Sequence, residues 1–313
     1  CLVETRAENN DKITFPYVIN NVNEIGPMPN GYDYEMWKHP AGEVKMTVYN
    51  DEAKFDAEWN NVINFLARVG LKYDETRTHD QIGTITADFE FKETKTPEKA
   101  MVYYGIYGWT VDPLVEFYIM ENWTNWRPRE GDGKHFLKDV ITVDGSEYDV
   151  ITRDQKNCPS IKGDGANFLQ ILNIRKDKRS SGNISISEHF KHWERLGLEF
   201  GNLYEVKLKV ETYKSDSTSC GACKLTKGEI LVNGKIPAST MPMRDMLMRG
   251  CKPMANGKSG AFTIFSLNGQ RVKSVPFDLS GNKIVTISNI APGLYIQTKG
   301  NSSTLSTRPM LVK

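Results

Sequence analysis

A glutamate stands in the middle of an apolar and aromatic stretch, YGWTVDPLVEFYIMENW, from Tyr107 to Trp123. The composition is that of a strand, and side chains alternate across a strand. Glu116, Tyr118 and Met120 therefore share one face, and Val115, Phe117 and Ile119 the other. A second stretch, YEVKLKVETYK, divides the same way, with Val206, Leu208 and Val210 on one side and Glu205, Lys207, Lys209, Glu211 and Tyr213 on the other. Two strands that turn carboxylates and phenols away from an apolar face can line a carbohydrate cleft. Rings serve as platforms for sugars, polar side chains bond the hydroxyls, and cleaving a glycosidic bond takes two carboxyl groups flanking it. The pattern also fits a solvated sheet face on which Glu and Lys pair across strands, so alternation alone does not decide.

These strands belong to an all-β pattern. From Tyr32 to about Ile236, short alternating runs such as EVKMTVYN, GTITADFEF and AMVYYGIYGWT are separated by turn signals. Asp144-Gly145 and Asn233-Gly234 predict tight hairpins, because a type I′ turn needs positive φ at both central residues, and hairpins imply antiparallel pairing. One helix interrupts the strands in SISEHFKHWERLGLEFG. Ser185 with Glu188 reads as a capping box, Phe190, Trp193 and Leu196 as one stripe, and Gly197 as the end. The expectation is an all-β sandwich or β-jelly roll of two antiparallel sheets and one helix, with a second, small C-terminal β-sandwich-like domain. Residues 1–27 read as a tail or a strand added at a sheet edge, and 28–236 as the main domain. Residues 237–260, rich in Met, Pro and Gly, read as a linker. In 261–313, FTIFSLNGQRVKSV, KIVTISNI and GLYIQTKG resume the alternation with a turn at Asn268-Gly269.

Across 313 residues, 40 Lys and Arg stand against 39 Asp and Glu, a net charge of +1. That offers no basic field for nucleic acid, and a neutral partner fits better. No run of about 18 apolar residues predicts a membrane span. The sequence opens at Cys1 without a charged-then-apolar leader, so export would mean a leader already removed. The five cysteines are Cys1, Cys158, Cys220, Cys223 and Cys251, enough for at most two disulfides. Cys220 and Cys223 form a Cys-x-x-Cys without the second pair that a zinc site needs, which favours a disulfide, local or longer, over a metal. No phosphate loop, nucleotide fingerprint or serine elbow stands out, and no cofactor is expected. His189 and His192, three apart on the helix, read as surface or packing residues, and Trp193 as core.

YGWTVDPLVEFYIMENW resembles the nucleophile strand of the family 11 glycoside hydrolases, the endo-β-1,4-xylanases, and LKVETYKS resembles that family's second glutamate strand. NGYDYEMWK, WNNVINFLARVG, DGSEYDV, NCPSIKG and NFLQILNIRKDKRSSGNISISEHFKHWERLGLEFG fall in the family's order, so the resemblance runs from about Gly31 to Ser219. It implies a β-jelly roll of two curved sheets with a cleft on the concave one, and hydrolysis of internal β-1,4 bonds of xylan with retention of configuration. Glu116 matches the nucleophile and Glu211 the acid/base, which retention places about 5 to 5.5 Å apart. Glu116 would be ionised and Glu211 protonated, the charge of the first helping to keep the proton on the second.

By the same resemblance, Tyr107 and Tyr118 bond the nucleophile and the adjacent sugar, Trp37 stacks on the next sugar outward, and Gln170 binds a sugar. Pro159, Ser160 and Ile161 match the tip of a thumb loop that closes over the substrate. Asn64 stands where the family has Asn or Asp beside the acid/base, and Asn goes with a near-neutral optimum. The sequence also departs from the pattern. The arginine usual before the thumb is Gln155, with Arg153 two residues earlier on the same strand face, and either could serve. Val111-Asp112 replaces an Arg-Asn, and Thr212 replaces a glycine and is expected to narrow the cleft. Lys209 brings a cation to about 7 Å from Glu211, working against the effect of Glu116.

The resemblance makes xylan and xylo-oligosaccharides the partners of a monomeric, secreted or surface-attached protein. FSLNGQRVKS and ISNIAPGLYIQTKG resemble the sorting domains of type IX secretion substrates, which would make the export machinery or the cell surface a further partner. Two rival readings are a non-catalytic xylan-binding protein on the same fold and a jelly-roll β-glucanase.

Overall fold

The computed structural model describes residues 14–39, 41–128, 133–213 and 219–236, and beyond them the backbone of four strands within 259–312. Two compact units divide the chain, Cys1–Thr240 and Met241–Lys313.

In the first unit, a six-stranded sheet runs β1 (Tyr17–Asn20), β4 (Glu43–Val48), β5 (Phe55–Val62), β15 (Ser219–Val232), β7 (Ile85–Lys95) and β13 (Ser181–Ile184). A nine-stranded sheet runs β10 (Phe136–Val143), β11 (Ser146–Ser160), β12 (Gly163–Arg175), β9 (Val115–Thr124), β8 (Met101–Val111), β14 (Asn202–Tyr213), β6 (Asn64–Lys72), β3 (Asp33–Lys38) and β2 (Glu24–Pro27). The expectation of antiparallel pairing holds except between β12 and β9, which run parallel, with Gln170 opposite Glu116. The chain leaves β9 for the sheet edge at β10 and folds back inward through two hairpins, so β12 arrives beside β9 in the same direction. β1 and β2 sit at the edges of their sheets, so residues 17–27 take the edge-strand alternative, and residues 1–13 lie outside the described residues.

Between the sheets meet Val206, Leu208 and Val210 of β14 and Phe117 and Ile119 of β9, all fully buried. Each such side chain contributes about 1.5 to 3 kcal/mol by leaving water. The helix α2 (Ile186–Arg195) packs its Phe190 and Trp193 rings 4.9 and 5.8 Å from Phe117, and Gly197, at φ +79°, follows its C-terminus. Ser185 precedes the helix but makes no cap bond. Its Oγ donates to Asp144 Oδ1 at 2.7 Å and its amide to Oδ2 at 2.9 Å, tying the helix to the β10–β11 turn instead. That turn has φ +51° at Asp144 and +71° at Gly145, as the hairpin dipeptide predicts. A second helix, α1 (His79–Ile82), adds to the one expected, since a single turn leaves no periodicity to read. His79 stacks on Phe190 at 4.3 Å, and His189 is fully buried.

The expected disulfide at the Cys-x-x-Cys does not form: Cys220 and Cys223 are both free, as is Cys158. Both lie on β15, and residues three apart on a strand face opposite ways; Cys223 is buried, whereas Cys220 Sγ lies 3.0 Å from Asn60 Oδ1. Cys1 and Cys251 lie outside the described residues. Among those described, no helix is long and apolar enough to cross a membrane.

In the second unit, β16 (Ser259–Phe265) pairs antiparallel with β17 (Arg271–Asp278), and β18 (Gly293–Asn301) with β19 (Thr304–Val312). Asn268-Gly269 and most of the linker stretch, 237–258, lie outside the described residues.

Candidate active site

The face of the nine-stranded sheet turned away from the core carries its own buried cluster. It includes Tyr103, Tyr107, Trp109, Tyr118, Met120, Phe168 and Leu172, and Ile161 and Cys158 pack against it. Glu116 sits among these rings with only 7% of its surface exposed. Such a burial needs donors, and three neighbours supply them. Tyr107 donates to Oε1 at 2.7 Å, Tyr118 to the same oxygen at 3.1 Å, and Gln170 Nε2 to Oε2 at 2.7 Å. Trp109 Nε1 in turn donates to the Tyr107 hydroxyl at 2.6 Å, which fixes the direction of that phenol. Strand register explains the convergence: Tyr118 faces Tyr107 across β8–β9, and Gln170 faces Glu116 across β12–β9. Burial pushes the Glu116 carboxyl above the ordinary glutamate range. The bonds from Tyr107 and Gln170 pull it down, Glu211 adds to the rise, and Lys209 opposes it.

Glu211 lies two strands away on β14 and on the same face, its side chain 14% exposed, with Leu66 and Tyr103 as register partners. Its Oε2 receives the Lys209 ammonium in a close ion pair. That ammonium also stands 3.9 Å above the Tyr118 ring and 4.1 Å above the Tyr107 ring, so Lys209 reaches across toward β9, the strand of Glu116. Thr212 does not narrow the cleft. It points to the opposite side of β14, fully buried, where its Oγ1 donates to the Met101 carbonyl at 2.9 Å and meets Ser219 Oγ at 2.8 Å.

The remaining expected residues fall around this pair. Trp37 is half-buried on β3, with Leu66 as its register partner. Asn64 pairs with Tyr213, one same-face row beyond Glu211, and its buried Oδ1 accepts no hydrogen bond. Arg153 stands opposite Gln170, in the row that leads on to Glu116, whereas Gln155 stands opposite Phe168 one row further out. Register thus favours Arg153 as the side chain nearer the row of Glu116. Pro159, Ser160 and Ile161 form the hairpin tip between β11 and β12. Ser160 Oγ accepts from the Lys162 amide at 3.0 Å and donates to the Gly163 carbonyl at 3.1 Å. Trp123 packs against the cleft-side cluster, and Trp126 is 38% exposed.

A charge cluster deeper on the same face lies beyond what the sequence reading anticipates. Lys207, fully buried, lies 2.7 Å from Asp33, 3.2 Å from Glu205 and 3.7 Å from Glu35. Arg68 lies 2.6 Å from Glu35 and 3.2 Å from Glu205, and its guanidinium stands 4.6 Å from the Tyr107 ring centre. Burial works to raise the Glu35 carboxyl, but the Arg68 and Lys207 charges outweigh it and hold it below the ordinary range. The one signal for the cluster is the alternation itself: Asp33 and Glu35 share a strand face, as do Glu205 and Lys207, but only register brings β3, β6 and β14 together.

Residues 29–221 match the family model of the glycosyl hydrolases family 11. A bifunctional xylanase/deacetylase of Pseudobutyrivibrio xylanivorans is 42% identical over 67% of this chain and 33% of its own length. Endo-1,4-beta-xylanase C of Fibrobacter succinogenes is 34% identical over 95% of this chain and 48% of its own. The chain thus spans between a third and a half of the length of these curated relatives. The solved structure of the family 11 xylanase from Neocallimastix patriciarum superposes with a TM-score of 0.60 at 31% identity, over 69% of this chain and 99% of that one. With the family model covering more than half of the sequence and the same fold around the two glutamates, the chain belongs to the glycosyl hydrolases family 11.

Proposed function

We propose that this protein is an endo-1,4-β-xylanase that acts with retention, Glu116 as the nucleophile and Glu211 as the acid/base. The observation that carries this reading is a buried Glu116 carboxylate held by Tyr107, Tyr118 and Gln170, with Glu211 close enough to act on its charge. Glu211 gives its proton to the leaving oxygen while Glu116 attacks the anomeric carbon, forming a glycosyl ester. A water then gives its proton to Glu211 and attacks the same carbon, releasing Glu116; two inversions amount to retention. The donors that fix Glu116 point it at one spot and need no reorganisation during the step. Trp37 supplies a stacking platform, Asn64 stands beside the acid/base, Gln155 and Arg153 line the approach, and Pro159, Ser160 and Ile161 hold the chain from above.

Since the nucleophile must be ionised, and burial raises its affinity for the proton, kcat/KM falls on the acid side with a midpoint above 4.5, the ordinary glutamate value. A pH profile of xylan hydrolysis below saturation checks this, and a midpoint at or below that value counts against it.

The C-terminal unit serves sorting or attachment in this reading, and the protein acts as a monomer outside the cell or on its surface. The match to the Fibrobacter succinogenes xylanase covers 95% of the chain and so extends into this unit. The deciding experiment is hydrolysis of xylan beside carboxymethylcellulose and mixed-linkage glucan, with proton NMR of the first product anomer. Short xylo-oligosaccharides released first as the β-anomer are expected. Binding without cleavage would move the protein to the binder class, and preference for glucan to the β-glucanases.

A further inference from the structure

We propose that Lys209 is a positioning residue for the acid/base: it holds the Glu211 carboxyl toward Glu116. The inference rests on the reading of Glu211 as the acid/base. Lys209 and Glu211 stand two apart on β14 and share a face, and the Lys209 ammonium closes on Glu211 Oε2. The lysine extends over the Tyr107 and Tyr118 rings at 4.1 and 3.9 Å, and only 2% of it is exposed. Two faces of aromatic π density and one carboxylate thus fix the ammonium, and the ammonium fixes the carboxylate.

The charged and titratable groups around it and Glu211 come from every neighbouring strand: Lys207 on β14, Tyr103 and Tyr107 on β8, Glu116 and Tyr118 on β9, and Arg68 on β6. Lys207 is taken up by Asp33 and Glu205, and Arg68 by Glu35 and Glu205. Lys209 is left as the cation of the catalytic pair. Burial lowers its own hold on its proton, and the Glu211 charge works against that.

Lys209→Met keeps the length of the side chain and removes the charge that holds the carboxyl. The test is kcat/KM of wild type and Lys209→Met on two aryl β-xylobiosides, phenyl and 2,4-dinitrophenyl. The phenyl leaving group needs a proton from the acid/base, and the dinitrophenyl group hardly does. On the phenyl substrate the variant loses about tenfold or more, a part of what a well-placed general acid contributes; on the dinitrophenyl substrate the loss is markedly smaller. An unchanged value on the phenyl substrate overturns the proposal, and so does an equal loss on both, the mark of a merely structural role. If circular dichroism shows Lys209→Met unfolded, Lys209→Gln takes its place under the same criteria. Glu211→Ala serves as the control: full activity of that variant on the phenyl substrate would sink the acid/base reading itself. An inactive Glu211→Ala beside an unchanged Lys209→Met sinks only the present inference.

Discussion

Glu116→Ala loses xylan hydrolysis by at least about 10⁴-fold in kcat, which is about 5 kcal/mol on the barrier. No other carboxylate among the described residues replaces it: Glu211 faces the site from β14 and is engaged by Lys209, while Asp33, Glu35 and Glu205 are tied to Lys207 and Arg68. The three donors now aimed at Glu116 would surround a small space on the nucleophile side. Azide entering that space can attack the anomeric carbon in place of the carboxylate. Xylan or an activated aryl xylobioside should then yield an α-glycosyl azide, because only one inversion has occurred. The measurement is the rate of phenol release from the aryl xylobioside by the variant with and without azide, with NMR of the glycosyl azide, which carries no reducing end. More than a tenth of wild-type activity in Glu116→Ala, or a β-configured azide, would remove Glu116 from the nucleophile role.

The second large effect is on stability. Lys207→Met costs about 3 to 5 kcal/mol at neutral pH, because buried Asp33 loses its close ion pair and Glu35 and Glu205 keep only that with Arg68, while Lys72 acts on Asp33 and Glu35 from further off. For a unit of this size that lowers Tm by roughly 6 to 20 °C. The pH dependence has a definite sign. Burial raises Asp33 above the ordinary range, although Lys207 pulls it down; with Lys207 gone Asp33 and Glu35 take up protons more readily. The deficit of the variant therefore shrinks as pH falls from neutral toward the carboxylate range. Scanning calorimetry of both proteins between pH 4 and 8 tests this. A deficit below about 1 kcal/mol at pH 7, or one that grows on acidification, would mean that the cluster is not held together by charge.

The alternation of Glu116 with Phe117, and of Glu211 with Val210, is legible in the sequence because a strand has only two faces and one of them has to be apolar. The two hairpin dipeptides are legible for the same local reason, and the helix stripe of Phe190 and Trp193 follows from its period. Ser185 departs from its expected capping box because its backbone N–H, which Glu188 would have accepted, goes to the Asp144 carboxylate 41 residues away. The Cys-x-x-Cys departs from its expected disulfide because spacing suggests proximity, whereas a strand turns residues three apart to opposite sides. Thr212 departs from its expected place in the cleft because its position on β14 faces inward, so the side chain that replaces a glycine there meets the core.

Local patterning therefore determined which side chains share a face, where the chain turns, and, through its ordered motifs, the family. Only the tertiary structure decided which strands lie side by side. That order brings Gln170 to Glu116 by a parallel pairing, places Lys209 over two tyrosines beside Glu211, and gathers Asp33, Glu35, Arg68, Glu205 and Lys207 into one buried cluster. The physical reason is that strand register and order come from the packing of whole sheets, over sequence separations that periodicity does not carry.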